Sequence, residues 1–245
     1  MDYSKWWKLF LNDCYLYLIN YNEKEVDITS KIEDRIRVLI TGDSLALPRP
    51  YNIRTFDPEK DEELGVHFHN TYGYLLQKEL SKIYPKTEVI NRAQSAQCIK
   101  DVYVQLFGHL FYFQPNIIIL HVGIVDCWLR KELNGRPKTD IGDFSMYYDK
   151  IIELLKKRKQ TKLIIIGICP TSKKIEEKYP GTLQQINKYN SILMSESDQQ
   201  QIFYIDMEKH IDIDHPNVYL MVDDHHLNRK GNELICNLIK DILVV

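Results

Sequence analysis

Short apolar runs punctuate the chain at Ile36–Thr41, Glu88–Ile90, Asn116–His121, Lys162–Ile168 and Gln201–Ile205. They lack strict alternation, the pattern of strands buried on both faces. Between and after them, His69–Ile83, Ile99–Phe111, Phe144–Lys157, Leu183–Met194 and Lys230–Ile242 carry apolar residues at helical spacing. Strands and helices alternating in this way predict a five-stranded parallel sheet with helices on both sides. Right-handed crossovers narrow the topology to a doubly wound, three-layer α/β/α sandwich. No internal repeat or Pro- or Gly-rich linker interrupts the series, so residues 35–245 read as one domain.

Residues 1–34 read as a helical extension. Trp7, Phe10, Leu11, Cys14 and Leu18 share one helix face, and the polar stretch Glu23–Asp34 reads as a connector. This helix reads as packed on the domain surface or as a contact between copies of the chain; its polar face carries too little excess of Lys and Arg for a membrane-surface anchor. Asn12 and Asp13 break its apolar run and no small-residue cleavage site follows, so it does not read as a targeting signal. No stretch approaches the roughly 20 apolar residues that cross a bilayer, and a cytoplasmic location without a membrane span is expected.

Composition removes several classes of function. Thirty-two basic and 34 acidic residues give a formal charge of −2, with no global pull on nucleic acid, and no nucleic-acid partner is expected. Five widely spaced cysteines without a CxxC read as free thiols, not as a disulfide framework or zinc site. His67 and His69 lack a third ligand at sensible spacing, so neither a metal nor another cofactor is expected. His210, Asp212, Asp214 and His215 read as a solvated loop.

In a doubly wound sheet, ligands gather beyond the carboxyl ends of the strands, and four loops there carry candidate chemistry. The first reads Thr41-Gly42-Asp43-Ser44-Leu45, a serine in a tight turn. The second is Asn91-Arg92-Ala93-Gln94-Ser95-Ala96-Gln97-Cys98, and the third is Val122-Gly123-Ile124-Val125-Asp126-Cys127. The last, Val222-Asp223-Asp224-His225-His226-Leu227-Asn228, precedes the final helix. A serine hydroxyl is a weak nucleophile until an imidazole takes its proton, and that imidazole needs a carboxylate to fix its tautomer. Asp223 and His226, three apart, offer that pair; read alone, they are also an ordinary solvated lead into a helix.

These four blocks, in this order, resemble the SGNH hydrolase family, also called GDSL esterases and lipases, over about Arg35 to Leu243. The resemblance implies a flavodoxin-like three-layer fold and ester chemistry through a serine acyl-enzyme. By position, Ser44 is the implied nucleophile, His226 the base and Asp223 its partner, with the backbone N–H groups of Ser44 and Ala96 in the oxyanion hole. Asp43, Asn91, Gln94, Gly123, Val125 and Arg49 are expected to line the substrate site.

Two positions depart from the family. Ala96 replaces a glycine and keeps its donor if its φ is negative. Val125 replaces the asparagine of Gly-x-Asn-Asp, which removes a third oxyanion donor unless Gln94 or Gln97 supplies one. The extended forms Ala46-Leu47-Pro48-Arg49-Pro50 and Cys127-Trp128 resemble a branch linked to bacterial surface polysaccharides. That resemblance implies a small acyl group, an O-acetyl ester, on a carbohydrate. A carbohydrate O-acyltransferase with the same three residues, and a non-catalytic sugar-binding relic, are the alternatives. Arg49 and Arg130 read singly as solvated charges, or as contacts to an anionic sugar or nucleotide. The aperiodic stretch from Arg49 to Val66 reads as a lid over Ser44.

Overall fold

A computed structural model describes residues 36–49 and 65–243. The strands are β1 (Arg37–Gly42), β2 (Glu88–Asn91), β3 (Ile117–His121), β4 (Lys162–Ile166) and β5 (Ile202–Ile205). The helices are α1 (Tyr72–Ile83), α2 (Ile99–Phe113), α3 (Ile124–Cys127), α4 (Ile141–Lys156), α5 (Lys173–Lys178), α6 (Thr182–Met194) and α7 (Arg229–Leu243). The five major strands and helices fall where the apolar pattern predicts, with ends shifted by a few residues. The short helices α3 and α5, and several 3-10 turns, were not foreseen.

All strand pairs are parallel, in the order β2-β1-β3-β4-β5. Side chains on the central strands point alternately into two cores, which is why their sequences are apolar at most successive positions. Leu39, Ile118, Leu120, Leu163 and Ile165 face α2, α4 and α6. Val38, Ile40, Ile117, Ile119, Ile164 and Ile166 face α1 and α7. The final helix α7 is held against α1 by Ile235, Cys236 and Ile239, all buried.

The chain leaves β1 for β2 on one side and returns to β3 on the other. The crevice of such a sheet therefore opens beyond the ends of β1 and β3, at Gly42 and His121. Gly42 makes the close approach that this point requires. Its φ is +150°, and a Cβ there would lie 1.8 Å from the His121 carbonyl oxygen.

The extension expected at residues 1–34, its helix and Cys14 lie outside the described residues, as does most of the stretch read as a lid. The ends of that stretch are clasped: Arg49 and Val66 exchange two backbone hydrogen bonds of 2.8 Å. Cys98, Cys127, Cys169 and Cys236 are free and buried. No described helix is long and apolar enough to cross a membrane.

Candidate active site

Beyond β1 the backbone tightens into a 3-10 turn over Ser44–Ala46. Asp43 caps it, its Oδ1 accepting the Leu45 N–H at 2.9 Å. The loop after β2 is laid over this turn, with Gln94 N–H donating to Gly42 O at 3.0 Å and Asn91 Nδ2 to Ala46 O at 2.7 Å. Asp126, in α3, accepts the Ile99 N–H at the start of α2 with both carboxylate oxygens at 3.2 Å, which ties the second and third blocks together.

The fourth block is a loop closed by backbone bonds. Met221 N–H donates to His226 O at 2.7 Å and Asn228 N–H to Tyr219 O at 2.9 Å. Asn228 then caps α7, its Oδ1 accepting the Gly231 N–H at 3.0 Å. Inside the loop Asp224 adopts a left-handed φ of +59°, and its Oδ2 accepts the Ser172 hydroxyl at 2.8 Å. The turn folds Asp223 back on its successors: Oδ1 accepts the His226 N–H at 3.0 Å and Oδ2 meets His226 Nδ1 at 2.7 Å.

The other ring nitrogen of His226 reaches Ser44. Nε2 lies 2.9 Å from Ser44 Oγ, across 182 residues of sequence. A carboxylate can only accept, so Nδ1 carries the proton and Nε2 is left to accept from the serine hydroxyl. Asp223 is held ionised: burial would raise its pKa, but the hydrogen bonds from the His226 side chain and backbone help outweigh burial and hold it well below the usual range. Arg49 stands at 4.0 Å from Asp223 Oδ2. The arrangement can move a proton from an alcohol to an imidazole beside a fixed anion.

Other positions differ from expectation. Asp43, expected to line the substrate site, is wholly buried, and its Oδ2 meets no hydrogen-bond donor. Gln94 is exposed and donates to Gln105 Oε1 at 3.2 Å, so it supports the surface and not an oxyanion. Both ends of the Asn91 amide are used within the loops, on Ala46 O and the Ala93 N–H. Ala96 has φ +61°, not a negative value. It occupies the left-handed region that favours glycine, at a cost of roughly 1 kcal/mol. Val125 is 8% exposed and packs into the core with Leu45 and Ile124. Gln97 is buried with neither amide atom hydrogen-bonded. Gly123, with φ +129°, lets the chain turn into α3.

Two side chains were not singled out from the sequence. His225 lies against His226, with ring centres 4.1 Å apart and planes inclined at 47°, and Trp128 lies against His225 at 5.1 Å. The consecutive histidines were a visible signal, but nothing in the sequence brings Trp128 to them. Asp223, His225 and His226 also bring three ligand-type atoms within 4.8 Å of one another, so they could together hold a metal ion. Away from the site, His215 pairs with Asp212 at 2.9 Å on the exposed loop expected there.

The sequence model of the GDSL-like lipase/acylhydrolase family matches residues 42–234. No curated protein matches the chain. Among solved structures, an acetyl xylan esterase is similar with a TM-score of 0.62 at 21% identity, covering 84% of this chain and 98% of its own. A lipase/acylhydrolase from Enterococcus faecalis is similar with a TM-score of 0.62 at 16% identity, covering 83% and 93%. An acetyl xylan esterase variant from Geobacillus stearothermophilus is similar with a TM-score of 0.62 at 14% identity, covering 84% and 94%. At these identities the structural likeness is one of fold.

Proposed function

We propose, given that this chain belongs to the GDSL-like lipase/acylhydrolase family, that it is a serine esterase removing a small acyl group, an O-acetyl, from a carbohydrate. In this reading Ser44 Oγ attacks the acyl carbonyl while His226 Nε2 takes its proton. The same proton then passes to the departing sugar oxygen. Water repeats the sequence on the acyl-enzyme and frees the acid. Asp223 holds the imidazole tautomer and stabilises its cation. The backbone N–H of Ser44 is assigned to the oxyanion; Ala96, at φ +61°, does not meet the condition of a negative φ on which its own donor was expected.

The observation that carries this reading is the 2.9 Å contact between Ser44 and His226, with Asp223 at 2.7 Å behind it. Two similar folds belong to acetyl xylan esterases, which favours acetyl and sugar over a long acyl chain. The third donor is what Val125 leaves out; a missing donor of this kind typically costs about 10²–10³ in rate, less than the loss of a nucleophile.

Hydrolysis of 4-nitrophenyl acetate tests the reading. Ser44→Ala and His226→Ala are each expected to lower kcat by about 10³-fold or more, and Asp223→Asn by about 10²–10⁴-fold. A wild-type protein no faster than Ser44→Ala would leave the sugar-binding relic as the better account.

A further inference from the structure

A row of rings runs up to the proposed base. Tyr179 meets Trp128 edge-on at 6.0 Å, Trp128 meets His225 at 5.1 Å, and His225 meets His226 at 4.1 Å with the rings tilted. Tyr179, Trp128 and His225 are half-buried, so packing fixes each of them while part of its surface stays open. His225 Nδ1 lies 2.8 Å from the Asp223 carbonyl oxygen. A carbonyl only accepts, so Nδ1 carries the proton and Nε2 presents a lone pair. Among the described residues nothing bonds that lone pair. Burial, reinforced by the adjoining His226, lowers the His225 pKa.

An acceptor beside an indole is selective. An aliphatic chain would leave the lone pair without a partner, and an anion would be repelled by it. A cyclic polyol satisfies both groups, with C–H bonds for the indole and hydroxyls for the nitrogen. We propose that Trp128 and His225 form a subsite for the sugar ring on the alcohol side of the ester, Trp128 covering one C–H face and His225 Nε2 accepting from a ring hydroxyl. The inference deepens the esterase reading and rests on it only for what the sugar carries.

The test compares kcat/KM for two esters with the same acyl group, 4-nitrophenyl acetate and a mono-O-acetylated methyl glucopyranoside. The sugar-to-aryl ratio is expected to fall about fivefold or more in His225→Phe, the effect of one neutral hydrogen bond, and at least as far in Trp128→Ala. His225→Gln, which keeps an acceptor, is expected to recover part of the loss. An unchanged ratio in either of the first two variants overturns the subsite. So does an equal loss on both esters, because that marks only a disturbed His226.

If wild type hydrolyses neither ester, the esterase reading fails separately, and binding decides the subsite. A saturable change in tryptophan emission with methyl glucopyranoside, weakened about fivefold in His225→Phe, would support it. No saturable change in wild type would overturn it.

Discussion

Asp43 adjoins Ser44 in sequence yet sees no solvent. Burial pushes its carboxyl up to about 7; the Leu45 N–H opposes this, the Asp126 charge adds to it, and the Gly123 N–H opposes it more weakly. The folded protein therefore holds this proton to higher pH than the unfolded chain, whose aspartate titrates near 3.8. Between these two values the fold binds more protons, so the contribution of Asp43 to stability falls as pH rises through the window. Asp43→Asn cannot ionise and still offers an oxygen to Leu45. Its stability relative to wild type is expected to grow between about pH 4 and pH 8, by on the order of a few kcal/mol. Urea unfolding at the two pH values measures this, and a constant difference would show that Asp43 titrates alike in both states.

Val125 poses the other question at this scale. Its side chain is buried against Leu45 and Ile124, with no group to offer a developing oxyanion. Val125→Asn is expected to raise kcat on 4-nitrophenyl acetate by about tenfold or more. It should also lower stability by about 1–3 kcal/mol through burial of an amide. Steady-state kinetics at saturating ester decides; no gain would mean that another donor already serves or that chemistry is not limiting. That Val125 departs from the family was legible in the sequence. The direction of Asp43, Gln94 and Asn91 was not, because a loop side chain is aimed by contacts that fold in from other strands. The bond from Asn91 to Ala46 spans 45 residues and that from Gln94 to Gln105 reaches into a helix.

At the scale of elements, β1 and β3 meet with no room to spare where the crevice begins. Gly42→Ala would force a Cβ against the His121 carbonyl oxygen at a φ of +150°. Thermal or urea denaturation is expected to show a loss of about 3 kcal/mol or more, with the Ser44 turn displaced as well. Gly108, on the exposed side of α2, has nothing within 4 Å of its Cβ position. Gly108→Ala is expected to gain about 0.5–1 kcal/mol by the same measurement. A neutral Gly42→Ala would mean that the two strand ends are looser than this packing requires.

The long elements were legible because each carries its own period. Ile99, Val102, Leu106 and Leu110 mark one face of α2, and the Ile117–His121 strand is apolar up to its last residue. The helices α3 and α5, of 4 and 6 residues, are too short to show a 3.6-residue period. The φ of Ala96 was not legible for a related reason. The handedness of a single loop residue is set by the path between β2 and α2, and its own side chain argues against the φ of +61° it adopts.

For the molecule as a whole, the strand order β2-β1-β3-β4-β5 brings the ends of β1 and β3 together and leaves the loop before α7 to close over them. The alternation of strands and helices foretold that sheet. It could not foretell that residues 182 apart in sequence would lie within hydrogen-bond reach. That meeting was legible only through the resemblance of the four blocks to a known family, since periodicity is silent on which loops converge. The ring row from Tyr179 to His226 was legible by neither route, because it joins three loops through packing.

Mass spectrometry of the protein after exposure to a fluorophosphonate tests the central claim most directly, because only an alcohol whose proton a neighbouring base takes as it attacks reacts rapidly with such a probe. The account predicts a single adduct per chain, carried by the peptide that contains Ser44, and its disappearance in Ser44→Ala. An unmodified wild-type protein, or an adduct that persists in Ser44→Ala, would contradict it.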